Sequence, residues 1–116
     1  MPNYVFLLWQ DVSKGEQPGT PGFDEQNAAY GALQQELIKA NAFKSGDPLV
    51  PGDAGQVVRV RDGRTETSRG GVASGPEQLI GYYALECKDD ADAAAWAAKI
   101  PAAAKGAIEV RPVMAM

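Results

Sequence analysis

The run VVRVRDGRTETS, residues 57 to 68, leaves the chain little conformational choice. Asp62-Gly63 sits between two stretches of alternating β-branched and charged residues. Asp-Gly suits a type I′ turn, because both central positions need φ > 0. Such a turn fixes the register: Arg61 faces Arg64, Val60 faces Thr65, and Arg59 faces Glu66. The opposite charges of Arg59 and Glu66 favour that pairing modestly, while the two facing arginines oppose it. The chain therefore carries an antiparallel hairpin near its middle.

The segments around it read as strands and helices in turn. Tyr4 to Trp9 is apolar on both faces, the pattern of a central, buried strand. Residues 13–22, SKGEQPGTPG, are too rich in Gly and Pro for a regular element and read as a surface loop. A helix follows, with Asp24 as its expected cap. Tyr30, Leu33, Leu37 and Ala40 recur every three or four residues and form its apolar stripe, leaving Gln34, Gln35 and Lys39 mostly outside. Asn41 is its expected end. Residues 44–55, KSGDPLVPGDAG, read as an irregular connection with at most a short edge strand. Ile80 to Cys87 predicts a further strand. Asp89 caps a second helix, with Asp92 in its first turn and Ala93, Trp96, Ala97 and Ile100 as its buried stripe. Pro101 stops it, and Ala107 to Val113 is the last strand. Strand, helix, hairpin, strand, helix, strand is an α+β order, with an antiparallel sheet carrying two helices on one face.

With 116 residues the chain fits one domain. A net charge of −4 and the lack of any basic block argue against a grip on nucleic-acid phosphates. One cysteine, Cys87, excludes an internal disulfide. The absence of histidine removes the commonest general base and zinc ligand. No cofactor or metal pattern is present. The N-terminal run MPNYVFLLWQ lacks a basic region and a cleavage site, and no run reaches transmembrane length, so the expected location is the cytoplasm.

Three stretches carry a family resemblance: VRVRDGRT, then EQLIGYY, then DDADAAAWAAKIPAAAKGAIEVRPVMAM. Together they resemble the YCII-related family in its DGPF-type branch, most specifically at the closing Glu109-Val110-Arg111-Pro112-Val113. The resemblance implies one YCII-related domain over residues 1–116. It also implies a ferredoxin-like fold and a homodimer with facing sheets, a dimeric α/β barrel. The branch signature Asp-Gly-Pro-Phe falls on Arg69-Gly70-Gly71-Val72, so a cation stands where the branch has a carboxylate. Some relatives resemble lyases acting on small ring compounds through a His–Asp pair, which this chain cannot form. Many members resemble accessories to extracytoplasmic-function sigma factors, an implied regulatory setting.

Several residues are candidates for a site. Arg69 and Gly70 belong to a glycine loop that could form an anion nest, although glycine clusters more often only turn the chain. Strand alternation places Tyr82, Glu86, Glu109 and Arg111 on the sheet face away from the helices. They could line a pocket for a small anionic or enol-like ligand with Arg111 as charge partner, or form an ion-paired dimer interface. Cys87 reads as an inert buried thiol. Asp11, at the end of the first strand, is either a general base or a loop cap. Two functions stay open. One is a non-catalytic dimeric domain that binds a small molecule or a regulatory protein. The other is a lyase or isomerase using Tyr82, Glu109 and Arg111.

Overall fold

Residues 3–11 alternate strictly between buried and half-buried positions, and this strand, β1 (Asn3–Asp11), organises the rest. The structure, a computed structural model, describes residues 1–50 and 52–115. Pro51, one of the prolines of the irregular connection, lies outside them. After β1 come α1 (Pro21–Lys39), the edge strand β2 (Phe43–Pro48), a hairpin of β3 (Gln56–Arg61) and β4 (Arg64–Arg69), β5 (Glu77–Glu86), α2 (Asp90–Ala98) and β6 (Ala107–Pro112). Short 3-10 turns occupy Val12–Lys14, Gly52–Ala54 and Pro101–Ala104.

Four strands form one antiparallel sheet in the order β2-β5-β1-β6. This α+β arrangement, with two helices against the sheet, is consistent with a ferredoxin-like fold. β1 is central, as its apolar composition requires. One side of it, Tyr4, Phe6 and Leu8, packs with Leu33 and Leu37 of α1, Ala93 and Ala97 of α2, and Leu85 and Cys87. Phe6, Leu37 and Leu85 are buried essentially completely. Burial of side chains of this size is worth about 1.5–3 kcal/mol each. Ile108 and Val110 pack against this core from β6, and the other side of β1, Val5, Leu7 and Trp9, is only half-buried.

The first helix begins earlier than the sequence suggests. The Thr20 hydroxyl, and not Asp24, accepts the Phe23 N–H at 3.2 Å. Pro21 occupies the first turn, where its fixed φ is already helical and its missing N–H costs nothing. Asp24 sits in that first turn instead. The loop expected over residues 13–22 thus gives its last two residues to α1. Ala40, expected on the buried stripe, is the exposed C-cap. Asn41 turns the chain out with φ 59°. The connection at residues 44–55 holds, in its first part, the short edge strand that the sequence allows, β2, which pairs with β5.

The second helix starts as predicted. The Asp89 carboxylate accepts the Asp92 N–H at 2.8 Å, and the Asp92 carboxylate accepts the Lys88 N–H at 2.9 Å. Each acidic side chain thus satisfies a backbone donor at the other's end of the turn. The hairpin has the expected register, with Arg59 opposite Glu66. Asp62 and Gly63 both have positive φ. The hairpin does not join the main sheet but stands as a separate two-stranded ribbon.

Candidate functional site

A cleft of about 320 Å³ opens between the first half of α1 and the β2–β5 edge of the sheet. Gln26, Asn27, Tyr30 and Gln34 border it from α1, and Gly46 to Pro48 from β2. Leu8 and residues 80–83 complete it. The helix spacing explains the first set, because positions 26, 27, 30 and 34 fall on one face. Glycine shapes the second set. A Cβ at Gly46 would come 2.7 Å from Cδ1 of Tyr83, so only glycine lets that ring lie beneath the edge strand. Phe43 holds the ring from the side in an edge-on contact, with centroids 6.5 Å apart.

The exposed lining of the cleft is mostly apolar, with amide and phenol groups set into it. Burial raises the Tyr30 phenol above its ordinary range, and the neighbouring Tyr83 adds to the effect. Burial raises the Tyr83 phenol as well. Both therefore remain protonated donors at neutral pH. Asp47 is the charged residue among the described lining residues. It accepts a hydrogen bond from the Tyr82 hydroxyl at 2.7 Å. That bond and the nearby carboxylate charge push the Tyr82 phenol up. Tyr82 lies opposite Asp47 in the β2–β5 register, and the strand alternation turns both side chains toward the open sheet face. They border the cleft where their strands run past it.

The open face carries the other residues expected from the sequence. Leu7 is opposite Tyr82 on one side and Glu109 on the other. Two interstrand spacings, about 10 Å, therefore separate Tyr82 from Glu109. Glu109 is fixed by two donors: Trp9 Nε1 reaches one carboxylate oxygen at 3.1 Å and Arg111 reaches the other at 3.1 Å. Arg111 is itself exposed. Glu86 lies 3.8 Å from the N-terminal amino group. The face is thus an apolar band of Val5, Leu7, Trp9 and Ala84 between two polar sets. Tyr82 and Glu109 do not meet across it.

Arg69 and Gly70 lie at the end of the hairpin, outside the four-stranded sheet. The Gly70 N–H donates to the Gly55 carbonyl at 3.0 Å, so one donor of the supposed nest is already committed. Asp11 accepts the Ser13 N–H and hydroxyl, which hold its carboxyl below the ordinary range. It caps the turn that follows β1. Cys87 is fully buried, and burial, helped by the Asp92 charge, pushes its thiol up to about 11. Among the described residues no cluster of acidic or thiol side chains is placed to hold a metal ion. No helix there is long and apolar enough to cross a membrane.

The model of the YCII-related domain matches residues 8–116. The chain belongs to the YCII-related family. No curated protein matches it significantly. The match takes in every residue bordering the cleft, from Leu8 to Tyr83, and all of β6. The cleft residues Gln26, Asn27 and Gln34 escaped the sequence reading, which placed Gln34 off the apolar stripe and Tyr30 within the core. Their signal was there: three amides share a helix face with a tyrosine, and amides on such a face point to a polar space.

Proposed function

We propose that this YCII-related protein is a non-catalytic, homodimeric domain that holds a small uncharged molecule in the α1–β2–β5 cleft. The cleft itself carries the reading. Its volume lies at the lower end of the range for small-molecule sites, about 300–1,000 Å³, and its lining mixes apolar surface with a few oriented donors. Amides at Gln26, Asn27 and Gln34 offer both donors and acceptors, and the phenols of Tyr30 and Tyr83 offer donors. An anionic ligand, expected from Arg111, would find no cation among the described lining residues. The chain lacks histidine, and its one thiol is buried and protonated. The homodimer is the natural cover for the apolar band of the open face. The nearer likeness to the DGPF-type branch, and with it an accessory role beside a sigma factor in the cytoplasm, rests on the hairpin and closing-strand motifs.

A screen of small neutral amides and phenols by ¹H–¹⁵N correlation spectra tests the cleft. Ligands should move the amides of Tyr30, Gly46, Gly81 and Tyr83, and Tyr30→Ala should weaken them about tenfold, on the order of one lost anchor. Hits that move only residues elsewhere would refute the site.

A lyase or isomerase reading has one observation in its favour, the 2.7 Å pair of Tyr82 and Asp47 on the open sheet face. Such a pair could relay a proton to a cyclic enol. Glu109, expected as a partner of Tyr82, lies about 10 Å away across that face, with Arg111 bonded to it. If a turnover is found, Tyr82→Phe should lower kcat by about 10²-fold or more, the usual worth of a positioned acid or base. Unchanged kcat would remove the pair from the chemistry.

A further inference from the structure

Two phenols of the α1–β2–β5 cleft have no acceptor among the described residues. Tyr30 and Tyr83 both line the cleft, half-buried and packed against the core. Asn27 and Gln34 are exposed at its mouth, while Leu8 is buried at its floor. The Tyr4 hydroxyl donates to Asp90 and the Tyr82 hydroxyl to Asp47, but those of Tyr30 and Tyr83 make no such bond. Nor are they sealed away, since the buried side-chain polar atom left without a partner, among the described residues, is Asn3 Oδ1. Both rings are held in place. The Tyr83 ring lies under Gly46 with Phe43 edge-on against it, and Tyr30 sits mid-way along α1.

The chemistry of the two groups picks out one kind of partner. Burial and the neighbouring Tyr83 raise the Tyr30 phenol, against a smaller lowering by the Ala102 N–H, which faces the Tyr30 oxygen. That oxygen already has a donor at its lone pairs, and its proton is what it has left to give. Two protonated phenols in one small cleft are two donors. A carbonyl oxygen matches them, because it carries two lone pairs near one plane and no proton of its own. A carboxylate would accept both as well, but no cation lines the cleft among the described residues, and burying a charge without one is costly. We propose that the cleft takes a neutral carbonyl compound, a small cyclic ketone, lactone or lactam, whose oxygen accepts from both Tyr30 and Tyr83 while its ring lies against Leu8 and Ile80. This rests on the small-molecule reading of the cleft above and names the end of the ligand that enters first.

Two probes of one shape separate the carbonyl grip from the cleft itself: cyclohexanone labelled with ¹³C at its carbonyl, and methylenecyclohexane, which lacks the oxygen. Each is titrated into the full chain and followed by ¹H–¹⁵N spectra. The ketone should move the amides of Gly46, Gly81 and Tyr83. Its bound carbonyl carbon should resonate at or downfield of its position in water, as it does only when donors replace the water it leaves. Tyr30→Phe and Tyr83→Phe should each weaken the ketone about three- to tenfold, the worth of one hydrogen bond, and leave the hydrocarbon unchanged. An upfield carbonyl in the wild type, a measurement that needs no variant to fold, would overturn the grip and leave the cleft standing. So would a ketone that binds both Phe variants as tightly as the wild type. If neither probe moves those amides, the grip is overturned, and the cleft falls with it only if the wider screen of amides and phenols also leaves them still.

Discussion

Gly106 shows how little room one residue can have. A Cβ there would overlap the Trp9 carbonyl oxygen and come 3.0 Å from the Gln10 Cα. Both are backbone atoms of the central strand and cannot turn aside. Gly106→Ala should therefore destabilise the fold by about 1–3 kcal/mol or more, as overpacking against fixed atoms does. A urea titration with an unchanged m-value would show it, and a wild-type midpoint would contradict it. Cys87 makes a prediction about pH. Its thiol is raised from 9.0 to about 11, and the Tyr4 phenol, which donates to Asp90 at 2.7 Å, is raised from 10.0 to about 12, first by that bond. In both groups the fold holds the protonated form, and the unfolded chain releases its proton at lower pH. Stability is then full below about pH 9 and falls as pH rises through 11 and 12. Cys87→Ala should flatten the first part of that decline, read as the urea midpoint against pH. In the native state the thiol should resist alkylation at neutral pH and react only on unfolding.

At the scale of elements, the two helices are started by different devices. α2 depends on two bonds, from the Asp92 N–H to Asp89 and from the Lys88 N–H to Asp92, and it is only nine residues long. A helix that short is marginal without its cap and its packing. Asp89→Ala should cost about 1 kcal/mol, visible in thermal denaturation, and Asp89→Asn should restore most of it. An equal loss in both variants would mean that the carboxylate charge beside the helix dipole matters more than the bond. These starts differ in how legible they are. Asp89 is the first of three acids, Asp89, Asp90 and Asp92, at the head of a run of alanines, so the sequence places the cap there. Before α1, both Thr20 and Asp24 are competent caps, and the Pro21 between them reads as a breaker. Only the helical φ of that proline, in the first turn, resolves the choice.

At the scale of the whole molecule, the question is what covers the open sheet face. The helices lie on one side of the sheet, and Val5, Leu7, Trp9 and Ala84 form a half-buried band on the other. An apolar band rimmed by polar groups is the usual character of an interface. A homodimer through this face should bury on the order of 1,200 Å² or more in total. Leu7→Asp, at the centre of the band, should give a monomer near the 12.3 kDa of one chain, and Tyr82→Glu should act in the same direction. Sedimentation velocity at micromolar concentration would decide, and a Leu7→Asp protein that still sediments as a dimer would move the interface elsewhere.

Local chemistry determined the elements and the hairpin register. The apolar run of β1, the Asp62-Gly63 turn and the Asp89 cap each act within a few residues, so the sequence alone specifies them. It also specified the sheet faces, because side chains alternate along a strand whatever the strand pairs with: Ile108 and Val110 lie inward, Glu109 and Arg111 outward. Tertiary structure decided what the faces meet. It placed Tyr82 beside Asp47, 35 residues away in sequence, and set Leu7 between Tyr82 and Glu109. It also brought the amides of α1 over the glycines of β2 and β5 to open a cleft. Those pairings depend on strand order and helix placement, which arise from burial summed over the whole core and leave no mark in any short stretch of the chain.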